Sequence, residues 1–527
     1  MNFPELTRHL PSRKNAALAI LSAVLLVLAF PDFEFWFLAW FGLAPLLLAV
    51  EHEKESSDHS FVLGWIFGFV FFTGTCWWLT FAPITYAGFS PIVAYLLLFC
   101  VTAIVGIFPG IFATILSRLL RRFGSLALFT APFVWVFAEL LRYWITGNNW
   151  NALGYSQAFA QSGQSVIVSV PAVTVLRTAE VGGVLLVGFF VGTLNSAILY
   201  PLILRTKGSV YHSLAVLSGA GALLLLFTWA SLQGRSSLIS RPQASVVAVQ
   251  PNVPMSGLFE EKWRLLRQRH IELSESSLKQ LTTDNRKPTT VIFPESPMNF
   301  MFEEDEEFRN FVHAFAAKND VNVLFNSAEP DASNNKYFNS AVLVGPDGKE
   351  IAQYDKIYLL PFGESVPAPL QAIVPAFVGI FSYGKEYDLL PLGDSKAGVM
   401  ICFESHFGEL SRRYVRDGAD VLIEMTNDGY LGPTPVLRQH LANAVFRAVE
   451  TNRPVLRVTN VGITAYINER GEVLDETQGY TEDTRVWSVG KSDGRQTFYV
   501  KYGDWFGWLC SIVSLVLLAL TFKPKKL

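Results

Sequence analysis

The sequence predicts a chain of two structural classes: a multi-pass α-helical membrane domain and an α/β layered domain outside the membrane. Three observations predict it. Of 527 residues, 51% are hydrophobic and only 17% charged, against about 25% charged in a soluble domain. Apolar stretches of spanning length, roughly 17–25 residues, recur through the first 232 positions and once more near the C-terminus. Between them, from Ser245 to about Gly490, short β-rich runs alternate with amphipathic helices, the pattern of sheets covered by helices. The expected division is a transmembrane domain over 1–240 with about seven spans, an outer domain over 244–490, and a C-terminal transmembrane helix with its tail over 500–527. A net charge of −3 and a pI near 6.3 exclude the basic domain that nucleic-acid binding requires.

Spans are expected near Asn15–Phe30, Phe35–Val50, Phe61–Phe81, Ile92–Leu116, Leu126–Leu141, Val181–Leu204 and Leu214–Leu232, with an eighth at Trp505–Phe522. Loop charge sets their direction. Arg8, Arg13 and Lys14 precede the first span; Arg118, Arg121 and Arg122 follow the fourth, Arg205 and Lys207 the sixth, and Lys523, Lys525 and Lys526 the eighth. The loops Pro31–Glu34 and Ala82–Ser90 carry no Lys or Arg. Cytoplasmic loops collect these residues, so both termini are expected in the cytoplasm and the outer domain on the opposite side. The first apolar segment has no small-residue cleavage site and is expected to be retained. In span five, AELLRYW places Glu139 and Arg142 three residues apart on one helical face, as a structural ion pair or a functional one. The stretch Gly147–Glu180, with Trp150 and LGYSQ, is too polar to span and is expected to form an outer surface.

In the outer domain, buried strands are expected at 245–250, 289–295, 322–327, 397–403, 420–425 and 454–459, each an apolar, β-branched run. Helical spacing covers Glu260–Leu281, Glu303–Lys318, Gly408–Asp417 and Val436–Asn452. Turn signals at Pro346-Asp347-Gly348 and Arg470-Gly471 mark two hairpins.

Three reactive residues then fall at strand ends, where sites of α/β sheets gather: Glu295 after VIFP, Lys356 after EIAQYD and Cys402 after GVMI. Taken singly, a terminal Glu or Lys is an ordinary solvated residue, and a cysteine ending an apolar run is core. Together they suffice for chemistry. A thiol with an ordinary pKa of about 8.5 is a weak nucleophile at neutral pH. A carboxylate can take its proton, and an ammonium can stabilise the thiolate and an oxyanion. Cys76, Cys100 and Cys510 lie in apolar segments as small buried hydrophobes, so no disulfide framework or zinc pattern is expected. His406, four residues past Cys402, leaves a Cys-His arrangement open.

On these residues the outer domain resembles the nitrilase superfamily, whose Glu-Lys-Cys triad falls on Glu295, Lys356 and Cys402. With the membrane half, the chain is similar end to end to the apolipoprotein N-acyltransferase family. The shared runs are VQPNVP (249–254), FPES (293–296), YDKIYLLPFGESVP (354–367), ICFES (401–405), TNDGYLG (426–432), RQH (438–440) and RAVETNRPVLRVTN (447–460). The resemblance implies a nitrilase-like αββα sandwich on the periplasmic side of the bacterial inner membrane. It implies ping-pong transfer of a phospholipid acyl chain, through a Cys402 thioester, to the α-amine of diacylglyceryl-modified apolipoproteins. Glu295 is then the general base. Lys356 and the Phe403 N–H stabilise the oxyanion, and Glu364 and Glu404 shape the pocket.

The resemblance implies no metal or cofactor, and a monomer is the expected state. Phe403 stands where the family commonly has Tyr. Phe259 stands at about the spacing of the family's Lys-Trp pair, Lys262-Trp263 comes a few residues later, and Tyr430 replaces a Trp-type position. Phe259, Trp263 and Tyr430, with Phe362 and Phe377, are expected to bind substrate or gate its entry. The last two lie on an apolar segment, Tyr358–Gly384, expected to be a mobile arm over the triad. Rival readings are a membrane-tethered amidase, a paralogue with another amine acceptor, and an inactive lipoprotein-binding scaffold.

Overall fold

The computed structural model describes residues 9–160, 166–234, 244–283, 290–298, 300–361, 363–366 and 381–524, with backbone alone at 166–171, 230–234 and 282–283. They divide into two units: the described residues of 1–233, 434–442 and 502–527, and those of 234–433 and 443–501.

In the first, helical unit, serine side chains start the helices. Ser12, Ser56 and Ser90 accept the backbone N–H of Asn15, His59 and Val93, opening Arg13–Ala29, Ser57–Cys76 and Pro91–Val105. The expected fourth span is divided, the chain continuing as Ile107–Phe123. Pro109 accounts for the break, because its ring cannot sit against the carbonyl four residues earlier, that of Val105. At the break Gly106 meets another glycine: a Cβ added to Gly68 would stand 2.8 Å from Gly106 Cα.

The fifth helix runs later than expected, Ala131–Thr146, after the 3-10 stretch Gly124–Thr130. Gly147, at φ 66°, ends it in the left-handed conformation. Ala179–Leu204 is interrupted at Gly182 and Gly183, and Lys207–Gly234 and Trp505–Leu520 follow. The expected second span is broken into the 3-10 turn Trp36–Leu38 and the short helices Ala39–Gly42 and Ala44–His52. The polar stretch 147–180 holds the 3-10 turn Leu153–Gln157 and the helix Val166–Arg177, whose 12 residues are too few to cross a bilayer. Among the described residues, four helical stretches are long and apolar enough to cross a membrane: Ser57–Thr85, Pro91–Thr146, Ala179–Leu204 and Lys207–Trp229. Cys100, expected to be buried, is exposed on Pro91–Val105, and Cys76 is only partly buried.

Glu139 and Arg142 turn to separate partners. Glu139 Oε1 accepts the Leu153 N–H at 2.7 Å and the Trp135 indole N–H at 2.9 Å. Arg142 donates to the Trp150 carbonyl at 2.8 Å and to Asn149 Oδ1 at 3.1 Å. They tie the helix to the following loop and line, with Phe67, Phe72, Phe112 and Trp135, a small open-sided cavity. Gln439 is the polar hub of this unit. Its Oε1 accepts from Trp150 Nε1 at 2.8 Å, Trp78 Nε1 at 3.1 Å and Asn151 Nδ2 at 3.3 Å. Its Nε2 donates to the Thr75 and Pro31 carbonyls at 2.8 and 3.0 Å. Beside it Arg438 pairs with Glu34 at 2.6 Å.

The second unit is built on two sheets. In the first, the order is β13 (Asp483–Val489), β1 (Ala244–Gln250), β2 (Thr290–Ile292), β3 (Asn322–Asp331), β4 (Lys336–Val344), β5 (Glu350–Asp355), with β6 (Phe381–Ser382) beside β4. In the second it is β12 (Val473–Leu474), β11 (Ala465–Ile467), β10 (Val455–Thr459), β9 (Val421–Thr426), β8 (Ser395–Ile401), β7 (Leu389–Leu392). β1, β2 and β3 run parallel, as do β8, β9 and β10. β1 meets β10, and β4 meets β8, across the face between the sheets. Helices Glu260–Thr283 and Glu306–Asn319 cover the first sheet, and Gly408–Arg416 the second. This is the αββα sandwich. It explains the unbroken apolar runs: β1 and β9 are buried along their whole length, as strands covered on both faces must be. Val247, Val291, Val323 and Phe325 pack with Phe308, Val312 and Phe315 of the covering helix, and Phe300 stacks on Phe308 with centroids 4.0 Å apart.

Candidate active site

The parallel strands and their neighbours set three side chains just past their ends. Glu295 comes three residues after β2, whose pairing continues when the Phe293 N–H bonds the Leu324 carbonyl at 2.8 Å. Lys356 is the residue after β5 and is fully buried, its N–H bonded to the Asn339 carbonyl at 2.9 Å. Cys402 is the residue after β8 and opens the 3-10 turn Cys402–His406. The structure brings the three together. The Cys402 thiol hydrogen-bonds the Glu295 carboxylate, and both feel the Lys356 charge.

Cys402 sits at φ 53°, a left-handed conformation that costs a non-glycine residue about 1–3 kcal/mol and is found where the surroundings enforce it. Glu404 supplies part of that enforcement. Its Oε2 accepts the Ile401 N–H at 2.8 Å, and its Oε1 accepts the Ile357 and Tyr358 N–H groups at 2.7 and 3.0 Å and the Tyr354 hydroxyl at 2.8 Å. One buried carboxylate thus joins the strand before the cysteine to the segment after the lysine.

Glu364 holds the lysine. Lys356 Nζ lies 2.8 Å from its carboxylate, which also accepts the Leu360 N–H at 2.7 Å. Asn339, on β4, links the two carboxylates: its Nδ2 donates to Glu364 Oε1 at 2.6 Å and to Glu295 Oε1 at 3.2 Å. The Asn427 N–H, just beyond β9, donates to Glu295 Oε2 at 3.1 Å. Asn339 and Asn427 were not among the expected site residues. The signal for Asn339 is a polar residue between Phe338 and the apolar run AVLV (341–344) of the same strand.

The protonation states follow from burial and charge. Burial raises Glu295 above the ordinary carboxylate value, against the pull of Lys356. Burial also lifts the Cys402 thiol well above its usual value, and the Glu295 charge adds to the rise. For Lys356, burial alone would lower the ammonium, but Glu364 and Glu295 more than offset it and hold it above its ordinary value. Burial pushes Glu404 up to about 7, opposed by Lys356 and by its N–H donors. The set is a thiol beside a carboxyl group with a fixed cation, so that an ionised Glu295 can take the thiol proton and Lys356 can stabilise the thiolate that forms.

The remaining expected residues spread outward. Phe403 is partly buried, its ring stacked on His406 at 5.7 Å and edge-on to Phe407 at 5.1 Å. Phe259, Trp263 and Tyr430 are exposed. Phe362 and Phe377 lie outside the described residues, as does most of the expected arm. Both ends of that arm are anchored. Glu404 and Glu364 hold the N-terminal end. At the other, β6 pairs with β4, Ser382 donates to Asp331 at 2.6 Å, and the Gly384 N–H bonds the Lys356 carbonyl at 2.8 Å.

Two family models match the chain: apolipoprotein N-acyltransferase N-terminal domain over residues 22–197, and carbon-nitrogen hydrolase over residues 236–497. Among curated proteins, the apolipoprotein N-acyltransferase of Geobacter metallireducens is 30% identical, over 98% of this chain and 96% of its own. That of Thermotoga maritima is also 30% identical, over 95% and 92%. Among solved structures, a Saccharomyces cerevisiae member of branch 10 of the nitrilase superfamily aligns with 48% of this chain and 93% of its own, at 19% identity and a TM-score of 0.37.

Proposed function

Because the chain belongs to the apolipoprotein N-acyltransferase family, we propose that it N-acylates lipoprotein N-termini by ping-pong transfer through Cys402. One observation carries the reading: a thiol bonded to a half-buried carboxylate beside a lysine whose charge two carboxylates maintain. In the first half, Glu295 takes the Cys402 proton and the sulfur attacks the ester carbonyl of a phospholipid acyl chain. Lys356 and the Phe403 N–H stabilise the oxyanion. The tetrahedral adduct collapses, the C–O bond breaks, and Glu295 returns the proton to the leaving lysophospholipid oxygen. In the second half, the α-amine of a diacylglyceryl-cysteine attacks the thioester, Glu295 takes its proton, and the C–S bond breaks to give the amide while Glu295 returns the proton to the leaving Cys402 sulfur, restoring thiol and carboxylate.

Asn339 and Glu364 act as positioning residues, the first orienting Glu295 and the second fixing Lys356. The exposed aromatic side chains of Phe259, Trp263 and Tyr430 suit contact with lipid-bearing substrates, since such rings favour an interface between water and apolar chains. The distribution of Lys and Arg supports both termini in the cytoplasm and the catalytic residues on the periplasmic side of the inner membrane, with 1–240 and 500–527 in the membrane and 244–490 as the catalytic domain. A monomer suffices, because the three reactive groups come from one chain.

The test is purified protein in phospholipid micelles with a synthetic diacylglyceryl-cysteinyl peptide. The reading expects N-acyl peptide and lysophospholipid in equal amounts. Free fatty acid formed at the same rate without peptide would instead mean that water is the acceptor and the enzyme a hydrolase. Neither product would favour the scaffold.

A further inference from the structure

Arg447 and Glu450 lie three residues apart on the helix Val436–Thr451. Both are buried, at 2% and 0% exposure. A buried ion pair is a poor source of stability, because desolvation offsets the attraction. Its contribution here is geometric. Arg447 Nη2 meets Glu450 Oε2 at 2.6 Å, which fixes the plane of the guanidinium. Nη1 then donates to the carbonyls of His406 at 3.0 Å and Ser405 at 3.3 Å, the last two residues of the turn that begins at Cys402. Gly408 leaves room for this fork: a Cβ there would stand 3.3 Å from Glu450 Oε2 and 2.7 Å from the Tyr499 hydroxyl.

The turn starts in a left-handed backbone conformation at Cys402 and needs restraint at both ends. Glu404 holds the front through the Ile401 N–H. The rear carbonyls rest on Arg447. We propose that Arg447, anchored by Glu450, is a positioning residue that sets where the Cys402 sulfur and the Phe403 N–H point. A planar fork with several fixed donors does this; a lysine, whose ammonium is a single point charge, does not.

The experiment compares wild type with Arg447→Met and Arg447→Lys, by the pH dependence of Cys402 alkylation with iodoacetamide, read on the Cys402 peptide by mass spectrometry. The proposal expects alkylation at neutral pH at least fivefold slower in both variants, with the profile displaced to higher pH. Rescue by Lys would mean that charge, not geometry, matters, and would overturn it. So would an unchanged profile in a destabilised but folded Arg447→Met. Should that variant not fold, Glu450→Gln keeps the guanidinium but loosens its anchor, and is expected to shift the profile the same way by a smaller amount. A second readout rests on the acyl-transfer reading: phospholipid KM within twofold and kcat reduced at least tenfold. If wild type forms no acyl product, that reading fails while the alkylation profile still decides the role of Arg447.

Discussion

The two units bury polar groups in different ways. In the helical unit the hubs are neutral amides. Gln439 serves five partners, and Asn195 accepts the Leu43 and Ala44 N–H groups while donating to the Ala39 and Val191 carbonyls. Two of its buried ionisable side chains, Glu139 and Arg142, bond the Leu153 N–H and the Trp150 and Asn149 oxygens of the following loop. The α/β unit has a neutral amide hub too, Gln250, which donates to the Gln478 and Thr481 carbonyls and accepts from Thr459, Thr464 and Thr477. But it adds ionisable groups gathered around one sulfur, the buried Lys356 and Glu404 and the half-buried Glu295 and Glu364, with Arg447–Glu450 behind the nucleophile turn. Nearby, Arg457 pairs with Glu424 at 2.5 Å and Asp428 at 2.8 Å. Neutral hubs satisfy backbone and indole groups at little desolvation cost. Burying an ion costs several kcal/mol even after relaxation, so a cluster of ions around a thiol marks where chemistry is done.

Breaking the charged side should remove activity and spare the fold. Cys402→Ala is expected to lower acyl transfer by about 10³-fold or more, since the nucleophile itself is gone, with Tm near that of wild type. Glu295→Gln, which keeps the shape but not the base, should lose about 10²–10⁴-fold. Steady-state assays beside thermal melts check both.

Glu404→Gln gives a smaller loss. An amide cannot present acceptors to the Ile401 N–H on one side and to Tyr354, Ile357 and Tyr358 on the other. An unpaired buried donor costs about 1–3 kcal/mol, which corresponds to about 10–100-fold in kcat if the strain falls on the turn. The measurement is kcat with a thermal melt; a variant destabilised but fully active would assign Glu404 to the neutral, structural class.

pH separates the units further. Glu295 must be a carboxylate to act, and burial raises its pKa above 4.5. Activity should therefore rise with pH through an apparent value above 4.5. Lys356 is held above its ordinary value and should add no alkaline fall below pH 10. A kcat/KM profile flat down to pH 4 would contradict the burial of the base.

On the neutral side, Gln439→Ala takes an acceptor from the Trp150 and Trp78 indole N–H groups, Trp78 keeping the Thr75 carbonyl at 3.0 Å, and removes the donor to the Thr75 and Pro31 carbonyls. It should destabilise by about 2–3 kcal/mol, with kcat per folded molecule unchanged. Glu139→Gln keeps an acceptor for Leu153 and Trp135, so a shift of under about 1 kcal/mol is expected. Melts in detergent check both, and a larger effect on rate than on melting would erase the distinction between the units.

What was legible in the sequence follows the same line. β1 and β9 read clearly because strands covered on both faces are unbroken apolar runs, and Glu295, Lys356 and Cys402 stood out at their ends. The break at Gly106 hid inside an apolar stretch whose hydropathy does not register Pro109. Asn339 hid because one polar residue in a strand reads as facing solvent. Arg447 and Glu450 hid because their spacing is that of any exposed helix pair. Their partners are backbone carbonyls some forty residues away, which no local pattern encodes.

The central claim, that one sulfur carries the acyl group between two lipids, is tested most directly by the intact mass of the protein after incubation with phospholipid and no acceptor. Wild type should gain the mass of one acyl chain, lose it to neutral hydroxylamine, and lose it equally to the diacylglyceryl peptide, while Cys402→Ala gains nothing. An adduct on Cys402→Ala, or peptide acylation by a wild type that never carries the adduct, would contradict it.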